Sequence, residues 1–95
     1  MNKYEIVFIV KADLDEKATK DTVKEFEGIL TGLKAKMNNS KSLGQKKLAY
    51  SIKDSVRGYY HQLNVEANAT AIKEFDRKAR IDERILRHLI IKEEN

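Results

Sequence analysis

The 95-residue chain contains no cysteine, no proline and no tryptophan. Without cysteine it can form no disulfide, offers no thiolate nucleophile and holds no cysteine-ligated metal. Glycine is sparse. The four present, at 28, 32, 44 and 58, fit neither the dinucleotide fingerprint nor the Walker phosphate loop. Long apolar runs are absent too. The longest, Ile6-Val7-Phe8-Ile9-Val10, is far short of a membrane span. Lys3 resembles a basic leader, but no apolar core with a small-residue cleavage site follows it. The expectation is one soluble, cytoplasmic domain over residues 1–95, with no cofactor, no membrane and no small-molecule substrate.

Charge is plentiful and unevenly placed. The net charge is +4. Residues 1–35 hold six lysines against seven acids, and residues 61–95 hold seven charges of each sign. The middle segment holds Lys36, Lys41, Lys46, Lys47, Lys53 and Arg57 against Asp54 alone. A polyanion would be drawn there, because each neutralised phosphate releases counterions.

Periodicity supplies the elements. Tyr4–Val10 reads as a central strand, with Tyr4, Ile6, Phe8 and Val10 on one face and Glu5, Val7 and Ile9 on the other. Asp13 or Asp15 can cap a helix whose stripe is Val23, Phe26, Leu30 and Leu33, joined by Ile29 and Ala18. Gly32 marks its end, and a close approach to a strand would account for Gly28 inside it. Residues 35–52 read as a lysine-rich edge strand with a bulge at Gly44. Residues 54–58 read as a hairpin connection to a strand over Tyr59–Val65. Asn68 or Thr70 caps a second helix with Ile72, Phe75 and Ala79 inward, and Ile85–Ile91 is a last strand before a polar tail, 92–95. The order β-α-β-β-α-β, with one apolar stripe per helix, predicts an α+β ferredoxin-like split β-α-β fold. It is a four-stranded antiparallel sheet with both helices on one face.

Catalysis finds little support. His61 and His88 sit in no metal-ligand spacing, and Asp82-Glu83 reads as a solvated turn. Small enzymes of this fold that hydrolyse acyl phosphates need a glycine-rich anion loop after the first strand. Here that position reads Lys11-Ala12-Asp13-Leu14. Base stacking on the open sheet is also poorly served. Tyr60 is a candidate, but the first strand offers only Glu5, Val7 and Ile9 beside it. A cationic and aromatic set fits better: Lys3, Tyr4, Lys46, Lys47, Tyr50, Lys53, Arg57 and Tyr59. Lysine and arginine pair with phosphates, and tyrosine stacks or bonds to sugar. The alternative is a protein-interaction module whose basic charge is incidental.

These residues bring the chain close to a known family. It resembles the bacterial small-subunit (30S) ribosomal protein number six. The signature is Leu43-Gly44-Gln45-Lys46-Lys47-Leu48-Ala49-Tyr50-Ser51-Ile52, supported by Lys3-Tyr4-Glu5, Gly58-Tyr59-Tyr60 and Arg80-Ile81 with Arg84, Ile85 and Arg87. The resemblance implies a non-enzymatic protein. Such a protein binds 16S ribosomal RNA in the central domain, or platform, jointly with the eighteenth small-subunit protein. Carried over, Lys3, Lys46, Lys47, Tyr50 and Arg87 face RNA. The open sheet face suggests Val7, Ile9, Tyr60 and Leu89 for the protein partner. The basic residues are expected to gather with Lys3 into a single rim. Many relatives have proline where this chain has Ser51, and many continue past Asn95 with an extension that holds the partner.

Overall fold

The computed structural model describes residues 2–12, 15–53 and 55–93. The expected elements that fall on Asp13, Asp54, Glu94 and Asn95 lie outside the described residues. Six elements follow in order: β1 (Asn2–Lys11), α1 (Glu16–Gly32), β2 (Lys36–Ile52), β3 (Ser55–Ala67), α2 (Ala69–Ile81) and β4 (Ile85–Glu93). The four strands form one sheet in the order β2-β3-β1-β4, and each neighbouring pair is antiparallel. This is the ferredoxin-like topology that the periodicities predict.

Each helix starts where a short polar side chain meets unpaired backbone N–H groups. The Asp15 carboxylate accepts from the Ala18 N–H at 2.6 Å, and the Asn68 side chain accepts from the Ala71 N–H at 2.9 Å. Helix α1 ends at Gly32 as expected, but the left-handed residue that closes it is Lys34, at φ 66°. Its N–H donates to the Thr31 carbonyl, and the Ala35 N–H donates to Leu30.

Both helices press on the same sheet face. Phe26 and Leu30 of α1 and Ala71, Phe75 and Ala79 of α2 share one buried cluster with Ile6, Phe8, Val10, Leu63 and Val65. Phe8, Phe26 and Phe75 meet as a trio with ring centroids 5.5–6.1 Å apart. Each buried ring contributes about 1.5–3 kcal/mol. On α1 the buried positions include Thr19 and Thr22, whereas Ala18 is only half-buried. A threonine can replace an apolar residue there because the Thr22 hydroxyl donates to the Ala18 carbonyl at 2.8 Å. Gly28 approaches no strand, since nothing lies within 4 Å of where its Cβ would be.

The β2–β3 hairpin departs most from expectation. Residues 55–58 are strand rather than connection: β3 starts at Ser55, which pairs with Ile52. The turn is therefore tight, with Lys53 at φ 48°. Between the pairs Lys47↔Arg57 and Ile52↔Ser55, residues 48–51 face Val56 alone. The surplus length bulges out of the ladder. Ser51 lies in this stretch, where a proline would remove no paired N–H. Gly44 also sits at a register shift, at φ 86°, as a bulge requires. At the other end of the chain, Lys92 and Glu93 belong to β4 rather than to a tail.

Candidate nucleic-acid interface

The bulge of β2 leans over the sheet face that the helices leave bare. Leu48 packs there with Ile9 of β1 and Leu86 of β4, flanked by Ile52 and Tyr60. Leu86 reaches this face because β4 bulges between Ile85 and Arg87 against Val10 and Ile9. Gly58 makes the packing possible. A Cβ at Gly58 would stand 2.2 Å from Cγ2 of Ile9, so that methyl occupies the space of the missing side chain. The hairpin arm is thus held across the sheet. From there the Lys53 ammonium donates to the Ile85 carbonyl of β4 at 2.9 Å.

This arrangement collects cations and tyrosines at one end of the sheet. The Arg87 guanidinium lies 5.2 Å from the centre of the Tyr50 ring, and the Lys46 ammonium lies 5.4 Å from that of Tyr60. Tyr50 is 57% exposed, so its outer side remains free to stack or to hydrogen-bond. Lys47 and Arg57 stand directly opposite in the ladder. Like charges in that position repel, and a bridging anion removes the penalty.

Among the described residues, five of the 19 lysines and arginines are ion-paired. Arg77, Arg80, Arg84, Lys20 and Lys36 each pair with a carboxylate. Arg84 is the most engaged: it donates to Asp82 and Glu25 and reaches the Thr22 hydroxyl at 3.4 Å. Those carboxylates push its guanidinium further up, and the Arg84 hydrogen bonds in turn hold the Asp82 carboxyl below the usual carboxylate range. Asp82 therefore locks a turn and is more than a solvated acid. Among the described residues, Lys46, Lys47, Lys53, Arg57 and Arg87 have no carboxylate partner within salt-bridge distance and are exposed; nine other lysines are unpaired too, so what sets these five apart is their place on the arm and on the start of β4 beside it.

Three sequence expectations change here. Lys3 does not join the group. It pairs with Glu66, whereas Lys46 pairs with Gly58. Eight residues of β3 separate the two positions, about 27 Å at 3.3–3.4 Å per residue. Antiparallel pairing brings the other end of β1 to the arm, so the cation delivered there is Lys11, opposite Gly58. Register arithmetic would have found it. Tyr4 and Tyr59 are half-buried against the helix-side core rather than presented as open rings. Ile9 is only 8% exposed beneath Leu48 and Leu86, which leaves it nothing to offer a partner. Val7 and Tyr60 are half-buried on the open face, Leu89 is 57% exposed, and Ile91, absent from the expected set, is 45% exposed.

The histidines do structural work. His61 is buried against the Phe8 ring, with its Nε2 2.7 Å from the Ser40 hydroxyl and 3.7 Å from Glu27. Ser40 also donates to Glu27 at 2.9 Å. A catalytic triad needs the acid on the ring nitrogen opposite the nucleophile; here both groups meet the same one. His88 bonds to Asp76 at 2.7 Å. Among the described residues no cluster of three or more His, Cys, Asp or Glu side chains could hold a metal.

Comparison with known proteins decides the family. The model of the family described as ribosomal protein S6 matches residues 3–92. The chain belongs to the ribosomal protein S6 family. A solved structure, the 30S ribosomal protein S6 from Thermotoga maritima at 1.70 Å, superposes with a TM-score of 0.91. The two chains are 22% identical over 97% of this chain and 87% of that one. At that identity the likeness speaks for the fold. Members of the S6 family are structural parts of the ribosome and catalyse no reaction, so the acyl-phosphate reading falls away.

Proposed function

We propose that the chain binds 16S ribosomal RNA through the arm end of its sheet, while the open face receives the eighteenth small-subunit protein. The observation behind this reading is the arm end itself, where Arg87 lies on the exposed Tyr50 ring, Lys46 on Tyr60, Lys47 opposite Arg57 and Lys53 on β4, none of them with a carboxylate partner among the described residues. Such a surface grips phosphates and stacks one ring while reading little sequence. That suits folded RNA, whose deep major groove side chains cannot enter. Lys3, Tyr4 and Tyr59 lie outside this contact, Lys3 at the far end of β1 and the two tyrosines against the helix-side core. The protein partner rests on Val7, Tyr60, Leu89 and Ile91. Function in the cytoplasm, within the platform of the small subunit, follows from this reading.

Binding to the folded central-domain junction at several salt concentrations tests it. Replacing Lys46 and Lys47 by alanine weakens binding and flattens the salt slope by up to about two units. An unchanged slope would remove this surface from the RNA contact and favour a protein-interaction module with incidental charge.

A further inference from the structure

The two edges of the sheet are built differently. The β2 edge carries Lys36, Lys41, Lys46 and Lys47 and is broken by register shifts, devices that stop strands from pairing with other chains. The β4 edge is irregular only at its start, where the bulge lies and where Lys53 occupies the Ile85 carbonyl. From Arg87 to Glu93 the strand pairs regularly with β1 on one side, and among the described residues nothing pairs with the other. Its middle, Leu89-Ile90-Ile91, holds no charge, and Leu89 and Ile91 stand out on the open face. An edge of this kind invites another strand.

We propose that the free chain pairs with a second copy of itself along β4, antiparallel and centred on Ile90. The register follows from the side chains. In a two-fold antiparallel pair, opposed residues must lie on the same sheet face, so the symmetry axis passes through one residue of the strand. An axis at Leu89 sets Arg87 against Ile91, an axis at His88 sets Arg87 against Leu89, and an axis at Ile91 sets Leu89 against Glu93. Each opposes a charge to an apolar side chain. An axis at Ile90 does not. It sets Leu89 against Ile91 twice, to make one apolar row. It closes both ends of that row with Arg87 opposite Glu93 of the second copy. On the helix side Ile90 meets its own copy, and Lys92 arrives beside His88, where the Asp76 carboxylate already stands. Ile90 is also the midpoint of the regular stretch 87–93. The edge is therefore self-complementary in apolar pattern and, once Arg87 turns from the Tyr50 ring and Glu93 from the Asn64 amide, in charge.

This inference goes beyond the RNA and partner reading and does not depend on it. If both hold, the two associations compete for Leu89, and the paired form belongs to chains not yet assembled.

Sedimentation velocity of the full chain over a concentration series tests the pairing. The wild type moves from the 11.0 kDa chain mass toward twice that value as concentration rises. Arg87→Glu and Glu93→Arg each weaken association about tenfold or more, because like charges then face each other. The double reversal R87E/E93R restores association, since both ion pairs re-form in the opposite sense. Both side chains are exposed; each reversal gives up one surface contact, Arg87 on the Tyr50 ring or Glu93 with the Asn64 amide at 3.2 Å, and circular dichroism of the variants checks that the fold is kept. Isotope-filtered NMR on mixed labelled and unlabelled chains finds Leu89 and Ile91 methyls in contact across copies. A wild type that stays monomeric throughout, its edge reserved for some other chain, would overturn the proposal. A double reversal no better than the single ones would do the same.

Discussion

Replacing Gly58 by alanine tests how the arm is held. In open space the change would stabilise the fold by about 0.4–1 kcal/mol, because alanine restricts the unfolded chain and the φ at Gly58 is not left-handed. The structure predicts the opposite sign. The new Cβ would lie 2.2 Å from Cγ2 of Ile9, with Leu48 and Leu86 side chains at 3.5 and 3.6 Å behind it. Ile9 cannot easily swing away, because it is branched at Cβ and buried. Overpacking of this kind costs about 1–3 kcal/mol. In a domain of this size that lowers Tm by roughly 5–20 °C. Thermal and urea denaturation followed by circular dichroism measure the loss. Ile9→Leu removes Cγ2 at constant volume and should relieve the alanine by about 1 kcal/mol in a double-mutant cycle, whereas Ile9→Val keeps Cγ2 and should relieve nothing. Gly28→Ala is the control. Its Cβ meets nothing on an exposed helix, and it should gain about 1 kcal/mol. A stable Gly58→Ala protein, or equal relief from valine and leucine, would refute the reasoning.

Two further outcomes are expected. Lys34→Gly should raise stability by about 1 kcal/mol in the same melts, because glycine adopts φ 66° without the steric cost that lysine bears. Burial holds the His61 imidazole below its ordinary value of 6.5, against a smaller upward pull from Glu27. The unfolded chain therefore takes up a proton that the folded chain refuses. Stability should fall as pH drops through about 6.5 toward the lower folded value. His61→Gln should flatten that fall below about pH 6.5, whatever it costs at neutral pH. The depressed carboxyls of Asp76 and Asp82 lose their contribution only at lower pH, in both proteins alike. An equal slope in the two proteins would show that His61 is not the group responsible.

The elements and their order were legible in the sequence because each has a clean period. Tyr4 to Val10 alternates faces, Phe26 and Leu30 repeat at helical spacing, and Asp15 and Asn68 punctuate the helix starts. The hairpin was not legible. Nothing in the run Asp54–Gly58 says that four of its residues, 55–58, continue a strand, because their partners are set by a bulge 48–51 that exists only once Leu48 finds Ile9. The meaning of Gly58 is likewise tertiary, a space filled by a methyl from another strand. The candidate site was legible in composition but not in assembly. Arg87 does meet Tyr50 by way of that bulge, and Lys46 and Lys47 stand on the same arm, over Tyr60 and opposite Arg57. Lys3 belongs to the other end of β1, a matter of strand direction that residue types alone do not express.

The central claim is that the arm end of the sheet, and not the helix face or the Lys3 end, meets RNA. Crosslinking of assembled small subunits, read out residue by residue by mass spectrometry, tests it most directly. The account predicts adducts concentrated at Lys46, Lys47, Tyr50, Lys53, Arg57 and Arg87. Adducts confined to the paired cations of α2, or to Lys3 and Lys36 at the far end, would contradict it.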